Sequence, residues 1–340
     1  MPDKFANPVD ITLLVCTYNR SGDLCEMLET ALSQETKREF TYDVLIVDNN
    51  SSDDTNAVVE NFVAAGHKNL RYIFELKQGK GFALNAGLKN VCASIYAIAD
   101  DDLILPRNYL HTVFTAFTQH PDISFVGGKV LPLWKDEVPS WLNEQHWSAI
   151  AMSDYGDAEI SSISENPITL LAGAFRVSDV KAVGGYQDQL GVSKNNIGGT
   201  EDVDLYTKLW QSGRKGLYIP KLYLHHKVEP HRLTKSYHRK WHTGHGAFYA
   251  AMRDKDFEIS SARLFDVPAH MFRQAAANIT NWTKHTLLGK ADQSFIYETE
   301  LRFFAGFFRK RVSDFRASGS YSMSREIITF LRSLLTRPRT

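Results

Sequence analysis

The sequence predicts an α/β fold on a mixed, mostly parallel sheet, followed by a helical region, and three observations carry that prediction. Short apolar runs rich in β-formers recur at residues 11–16, 42–47, 70–74 and 95–99. Helical segments separate them, so the strands are joined by crossovers and buried on both faces. From about Tyr237 onward the apolar spacing is helical.

In chain order, the run at 11–16 is the first strand and a helix follows it. The second strand, at 42–47, leads to a helix starting near Asp53. The third strand, at 70–74, leads to a helix over roughly 81–92, and the strand at 95–99 completes the alternation. Residues 121–200 are less regular, punctuated by Gly127-Gly128, Gly173 and Gly184-Gly185. Trp134, Trp141 and Trp147 lie there in a Pro-containing stretch, either as stacking faces or as local core. Residues 222–226 read as a short strand. Near the C-terminus Ile327, Leu331, Leu334 and Leu335 form an apolar stripe flanked by Arg325, Arg332, Arg337 and Arg339.

A chain of 340 residues, 43% hydrophobic and 23% charged, is an ordinary globular composition, long enough for a domain plus an extension. The boundary falls near 235, giving 1–235 and a basic, mainly helical 236–340, and the first part divides into halves at about 9–120 and 121–235. The zero net charge conceals an asymmetry. Residues 231–340 carry 19 Lys and Arg against 9 Asp and Glu, whereas residues 1–230 carry 20 against 30. The acidic first part argues against a nucleic-acid binder. Cys16, Cys25 and Cys92 are few and widely spaced and read as reduced core residues. No stretch is apolar enough to span a bilayer, and Met1-Pro2-Asp3-Lys4 lacks a signal-peptide pattern, so a cytoplasmic location is expected.

Ligands of a parallel sheet sit beyond the carboxyl ends of its strands. Polar clusters fall at those ends: Thr17-Tyr18-Asn19-Arg20, Asp48-Asn49-Asn50-Ser51-Ser52 and Asp100-Asp101-Asp102. Three adjacent carboxylates repel one another unless a cation lies among them, and all-oxygen ligation suits Mg2+ or Mn2+. Tyr18 can stack on a nucleobase while Asp48 accepts from a ring N–H, which favours uracil, guanine or thymine over adenine. Lys80-Gly81 offers a cation and open backbone for phosphates. There is no G-x-x-x-x-G-K-[ST] loop and no G-x-G-x-x-G after the first strand.

A second constellation is Gly198-Gly199-Thr200-Glu201-Asp202. Thr200 is placed to cap a helix whose first turn holds Glu201 and Asp202, and an ionised carboxylate there is a candidate general base. A third is His225-His226, of which one faces the site, because neighbours on a strand point to opposite faces. Imidazole is a natural ligand for a manganese-type ion.

Together these residues resemble the inverting family 2 glycosyltransferases with the GT-A fold, from Ile11 to about Gly246. Val15 to Arg20 and Val47 to Thr55 look like the first two strand-end motifs, Asp100-Asp101-Asp102 like the D-x-D motif, and Glu201-Asp202 like the acidic pair on the acceptor side. Pro220, His226 and Val228, then Arg232, Thr234, Tyr237, Arg239 and Gly244, continue the pattern. The resemblance makes 9–120 the nucleotide-binding half and 121–235 the acceptor half. It implies that Thr17, Tyr18, Arg20, Asp48, Lys80, Gly81, Asn85, Asp100 and Asp101 bind the nucleotide sugar, a UDP-sugar first. Asp102 and His226 (alternatively His225) ligate Mn2+ or Mg2+, and Asp202, with Glu201 beside it, deprotonates the acceptor. The reaction is then an inverting displacement onto a hydroxyl of a polysaccharide or lipid-linked glycan. The sequence departs from the family at Leu84-Asn85, where Arg-Asn is common, and at Gly173-Ala174-Phe175, where Gly-Ala-Asn is common. A sugar-phosphate nucleotidyltransferase and a non-catalytic sugar-binding relative are the competing readings. The basic C-terminal stripe leaves three alternatives open: docking on an anionic membrane, packing on the catalytic domain, or contact with a second subunit.

Overall fold

The computed structural model describes residues 9–193, 196–260 and 262–318. The stripe around Ile327 lies outside them. Two compact units partition the chain.

The first unit comprises residues 1–137, 150–194 and 201–229. Its elements run β1 (Ile11–Thr17), α1 (Ser21–Ala31), β2 (Tyr42–Asp48), α2 (Thr55–Ala64), β3 (Leu70–Phe74), α3 (Lys80–Asn90), β4 (Ile95–Asp100), β5 (Leu103–Ile104) and α4 (Tyr109–Gln119). They continue with β6 (Phe125–Trp134), β7 (Ile160–Ser162), β8 (Ala174–Arg176), α5 (Val177–Ala182), α6 (Glu201–Gln211) and β9 (Gly216–Val228). Among the described residues these form a nine-stranded sheet in the order β3-β2-β1-β4-β8-β6-β9-β5, with β7 also on β9. The β3-β2-β1-β4 half is parallel, as the apolar runs predict. β8 runs antiparallel to both β4 and β6, β6 and β9 are parallel, and β5 returns antiparallel to β9.

Period-two alternation divides the core between the sheet faces. Leu13, Val15, Val44, Ile46 and Ala97 meet Leu24, Met27 and Leu28 of α1 and Leu110 and Val113 of α4. Leu14, Leu45, Val47 and Tyr96 face the other way, with Ala83, Leu84 and Leu88 of α3 and Leu205, Tyr206 and Leu209 of α6. Fully burying one such aliphatic chain contributes about 1.5–3 kcal/mol. α3 approaches β1 closely because position 87 is Gly: a Cβ there would collide with Leu14 Cδ1. Cys16 and Cys25 are partly buried, but Cys92 is exposed, because it follows the end of α3 rather than lying on its inner face.

The second unit comprises residues 138–149, 195–200 and 230–340. Residues 138–149 and 195–200 thus group with the C-terminal helices, although in sequence they fall within 121–235. The unit contains α7 (Lys235–Met252), the hairpin of β10 (Arg263–Leu264) and β11 (Val267–Pro268), α8 (Ala269–Leu287) and α9 (Ala291–Ala317). α7 and α9 cross at small residues, where a Cβ on Gly246 would collide with Phe303 O and one on Gly306 with Thr243 O. Val267, Met271, Ala275, Phe304 and Phe307 form a core there. Trp141 belongs to a second aromatic cluster, edge-on to His238 and Phe295 at 4.9 Å each and to His146 at 5.3 Å. Of the alternatives for the tryptophans, local core therefore holds for Trp141; Trp134 is exposed. No helix among the described residues is long and apolar enough to cross a membrane.

Candidate active site

The parallel strands end in register. Thr17 pairs with Asp48 and Cys16 with Asp100, so three polar loops leave the sheet at one edge. The loops after β1 and β2 are tied together: Asn19 N donates to Ser51 Oγ at 2.9 Å and Ser52 N to Asn19 Oδ1 at 2.7 Å. Asn19 and Asn50 have φ of 51° and 66°, a left-handed turn conformation that asparagine tolerates better than most residues. Asp48 is buried, accepting from Ser51 N and from the Tyr72 hydroxyl, each at 2.8 Å. Nothing in the sequence singled out Tyr72 as a partner, because it comes from the next strand.

The aspartate triplet divides into three environments. Asp100 meets Lys80 Nζ at 2.7 Å. Asp101 accepts from the Thr17 hydroxyl at 2.8 Å and from Arg20 Nη1 at 3.0 Å. Asp102 accepts from the same Arg20 nitrogen at 2.8 Å and lies 3.4 Å from His226 Nε2. Burial pushes the Asp101 carboxyl up to about 7, against the opposing pull of Arg20. Burial likewise opposes the charge on Arg20, but Asp101 and Asp102 outweigh it and keep the guanidinium protonated.

His226 reaches Asp102 because Leu103 pairs with His226 across β5 and β9. The His225 ring instead lies edge-on to Tyr223 at 5.5 Å. Tyr18 is half-buried in the loop after β1.

Lys80 joins the aspartate triplet to the acidic pair, with Nζ 3.7 Å from Glu201 as well as against Asp100. Burial disfavours its charge, but the two carboxylates overcome that and hold it as an ammonium. Gly81 is required sterically, since a Cβ would lie 2.8 Å from the carbonyl oxygens of both Gln187 and Asp188. Asn85 is engaged with the same loop, donating to Tyr186 O at 2.8 Å and Asp188 Oδ1 at 2.7 Å. Its amide positions that loop, while the neighbouring Leu84 is core. Phe175, in the other departing position, stacks in the core with Tyr96 at 5.5 Å.

Glu201 and Asp202 open α6. Glu201 is buried, and burial pushes it up to about 7 despite Lys80 nearby. Burial also raises Asp202, again against Lys80, but Asp202 remains partly open to solvent. The predicted Thr200 cap does not form: its hydroxyl is buried and finds no hydrogen-bond partner among the described residues.

Among the described residues no group of three or more His, Cys, Asp and Glu side chains converges as a metal site. Asp102, in the turn just before β5, and His226, on the paired strand β9, are nevertheless one oxygen and one nitrogen donor side by side. Such a pair fits a Mg2+- or Mn2+-type ion, which keeps waters and takes its remaining ligands from substrate phosphates.

Residues 12–169 match the family described as Glycosyl transferase family 2. The chain is 22% identical over 229 residues to a glucosyl-dolichyl phosphate glucuronosyltransferase of Haloferax volcanii, covering 65% of this chain and 70% of that protein. Its fold is similar to that of the mannosyltransferase PcManGT from Pyrobaculum calidifontis, solved with GDP-Man and Mn2+. The TM-score is 0.53 at 17% identity, covering 98% of this chain and 82% of that one. It is also similar to S. aureus TarS 1-349, solved with UDP-GlcNAc, with a TM-score of 0.50 at 15% identity over 92% of this chain and 93% of that one. The α/β sheet is thus a GT-A fold carrying additional C-terminal helices.

Proposed function

The chain belongs to glycosyltransferase family 2, and from that premise we propose that it moves a sugar from a nucleoside-diphosphate sugar onto a hydroxyl of a glycan or lipid-linked acceptor, with inversion at the anomeric carbon. The observation that carries this reading is Lys80 standing between Asp100 and Glu201, which joins the strand-end cluster to the acidic pair. A donor diphosphate and an acceptor hydroxyl can then lie on opposite sides of one reacting carbon.

Asp48 accepts from the base N–H. A carboxylate has about four lone-pair sites, so the bonds from Ser51 and Tyr72 fix its orientation and leave capacity for the ligand. A uracil nucleotide is the first choice, supported by the UDP-GlcNAc bound to a protein of the same fold. Thr17 and Arg20 hold Asp101 and Asp102 in place, and Lys80 faces the negative charge that grows on the leaving diphosphate. Asp102 and His226 would hold a divalent cation, which when bound supplies Lewis-acid stabilisation of that leaving group. Asp202, more open than Glu201, takes the acceptor proton as the new bond forms, and its raised pKa improves it as a base. The lipid-linked class of acceptor is supported by the printed activity of the Haloferax volcanii relative.

The test is a panel of UDP-, GDP- and dTDP-sugars, assayed with and without Mn2+, for release of nucleoside diphosphate. Release from one nucleotide class that disappears in Asp202→Asn supports the proposal. Release of pyrophosphate instead identifies a nucleotidyltransferase, and donor binding without turnover identifies a non-catalytic relative.

A further inference from the structure

The helical unit contains a groove of about 480 Å3 that the proposed transfer does not use. α7 lines it with Ser236, Arg239, Lys240 and Thr243, and α9 with Arg302 and Arg309. These positions recur at helical spacing, so each helix presents a single stripe to the groove. The glycine crossing at Gly246 and Gly306 brings the two stripes close enough for both to address one ligand.

Its charge is one-sided. Against four cations, the carboxylate ion-paired to lining residues is Glu298. Arg239 grips it through Nε at 2.6 Å and Nη2 at 2.9 Å, and Arg302 reaches it at 3.3 Å. Those contacts hold the Glu298 carboxyl below the usual carboxylate range. Glu298 also fixes the plane of the Arg239 guanidinium, whose Nη1 edge is left for a further acceptor. Lys240 and Arg309 form no ion pair among the described residues. Like charges gathered on a concave surface repel, and a multiply charged anion relieves the repulsion.

We infer that this groove binds a phosphate-bearing anion, of the diphosphate class. Arginine forks match phosphate oxygens in pairs, Lys240 adds a point charge, and the Ser236 hydroxyl lies within the same wall. The volume falls in the range of roughly 300–1,000 Å3 typical of small-molecule sites and exceeds what a single phosphate fills. The binding does not rest on the function proposed above.

The experiment compares the full chain with the charge-reversed variant Lys240→Glu/Arg309→Glu, chosen because neither side chain is in an ion pair that the fold relies on. Both proteins are titrated calorimetrically with inorganic pyrophosphate, and the melting temperature is measured to verify folding. They share the donor site, so the difference between them reports the groove. Pyrophosphate binding at least about tenfold weaker in the folded variant is expected. Equal binding by the two folded proteins, or no binding by either, overturns the inference. Should the double variant not fold, Lys240→Ala and Arg309→Ala singly, each weakening binding severalfold, serve the same purpose and unchanged affinity in both overturns it.

A second arm separates the sources of phosphate. Sedimentation with phosphatidic acid vesicles but not with phosphatidylcholine, lost in the variant, assigns a lipid-borne phosphate. Pyrophosphate binding without vesicle association assigns a soluble one. Nucleoside-diphosphate release is followed in parallel. Its absence from every protein defeats the transferase proposal and leaves the groove result standing.

Discussion

Two buried clusters, one at the strand edge of the first unit and one around Trp141 in the second, treat ionisable groups in opposite ways. At the strand edge of the first unit, carboxylates are kept close together by compensation: Arg20 on Asp101 and Asp102, Lys80 between Asp100 and Glu201. In the second unit His146 and His238 pack among Trp141 and Phe295 with His242 stacked on His238, and burial pushes His238 down to about 4 and His242 to about 3. These imidazoles behave as neutral aromatic rings. The difference teaches that burial alone does not mark a site. Charge retained by compensation needs partners held in place, as at the strand edge; charge abolished by burial leaves rings that pack, as around Trp141.

The largest expected effect tests the first half of that contrast. Asp202→Asn removes the proposed base without changing its shape, and turnover is expected to fall by about 10²–10⁴-fold while the circular dichroism spectrum is unchanged. A variant that keeps full turnover moves the base to Glu201 or elsewhere.

Acid addresses the second half. The His238 and His242 pKa values lie below those of the unfolded chain, so the unfolded state takes up protons first as pH falls below about 6.5. Stability is therefore full above that value and declines as pH drops toward the folded pKa values, by on the order of 2 kcal/mol per histidine at pH 5. Glu201 runs the other way: its value of about 7 is raised, so its contribution is full below about pH 4 and is lost as pH rises through 7. Chemical denaturation at pH 5 and pH 7 measures the balance. His242→Leu is expected to flatten the acid limb by its own share, and an unchanged limb removes the neutral-histidine account.

Arg20→Met sharpens the contrast further by leaving Asp101 and Asp102 without their guanidinium. Breaking a fully buried pair costs about 3–5 kcal/mol. Arg20 is 39% exposed, and solvent screening brings the expected loss to about 2 kcal/mol, read from the denaturant midpoint. As the reference for an ion pair outside any cluster, Lys310→Ala on α9 releases Asp314 and is expected to cost only about 0.3–0.5 kcal/mol.

The parallel half of the sheet was legible because strands buried on both faces are written as unbroken apolar runs. The strands β1, β2 and β4 each extend one residue beyond those runs, to Thr17, Asp48 and Asp100, because polar side chains there continue the backbone ladder. The mixed half was not legible. β7 and β8 have three residues each, too few for a period to register, and their pairing is decided by distant strands. Of the site, the residue types and their strand-end placement were readable. The partnerships were not: Arg20 bridging two aspartates, Tyr72 on Asp48, and Asn85 turned to the 186–188 loop join residues from 24 to 103 positions apart. The histidine core is composed from segments on both sides of residues 150–194, which no local pattern announces.

The pairing of Leu103 with His226 has a consequence in time. A ribosome makes the chain from its N-terminus at about 5–20 residues per second, and contacts distant in sequence close last. The parallel strands, complete by residue 100, can assemble while most of the chain is still unmade. β5 has no strand partner until β9 emerges, so Asp102 has Arg20 beside it but not His226 through the synthesis of more than a hundred further residues. The nascent protein thus has its polar strand edge well before His226 joins Asp102, and the proposed transfer centre is completed as one of the last events of its making.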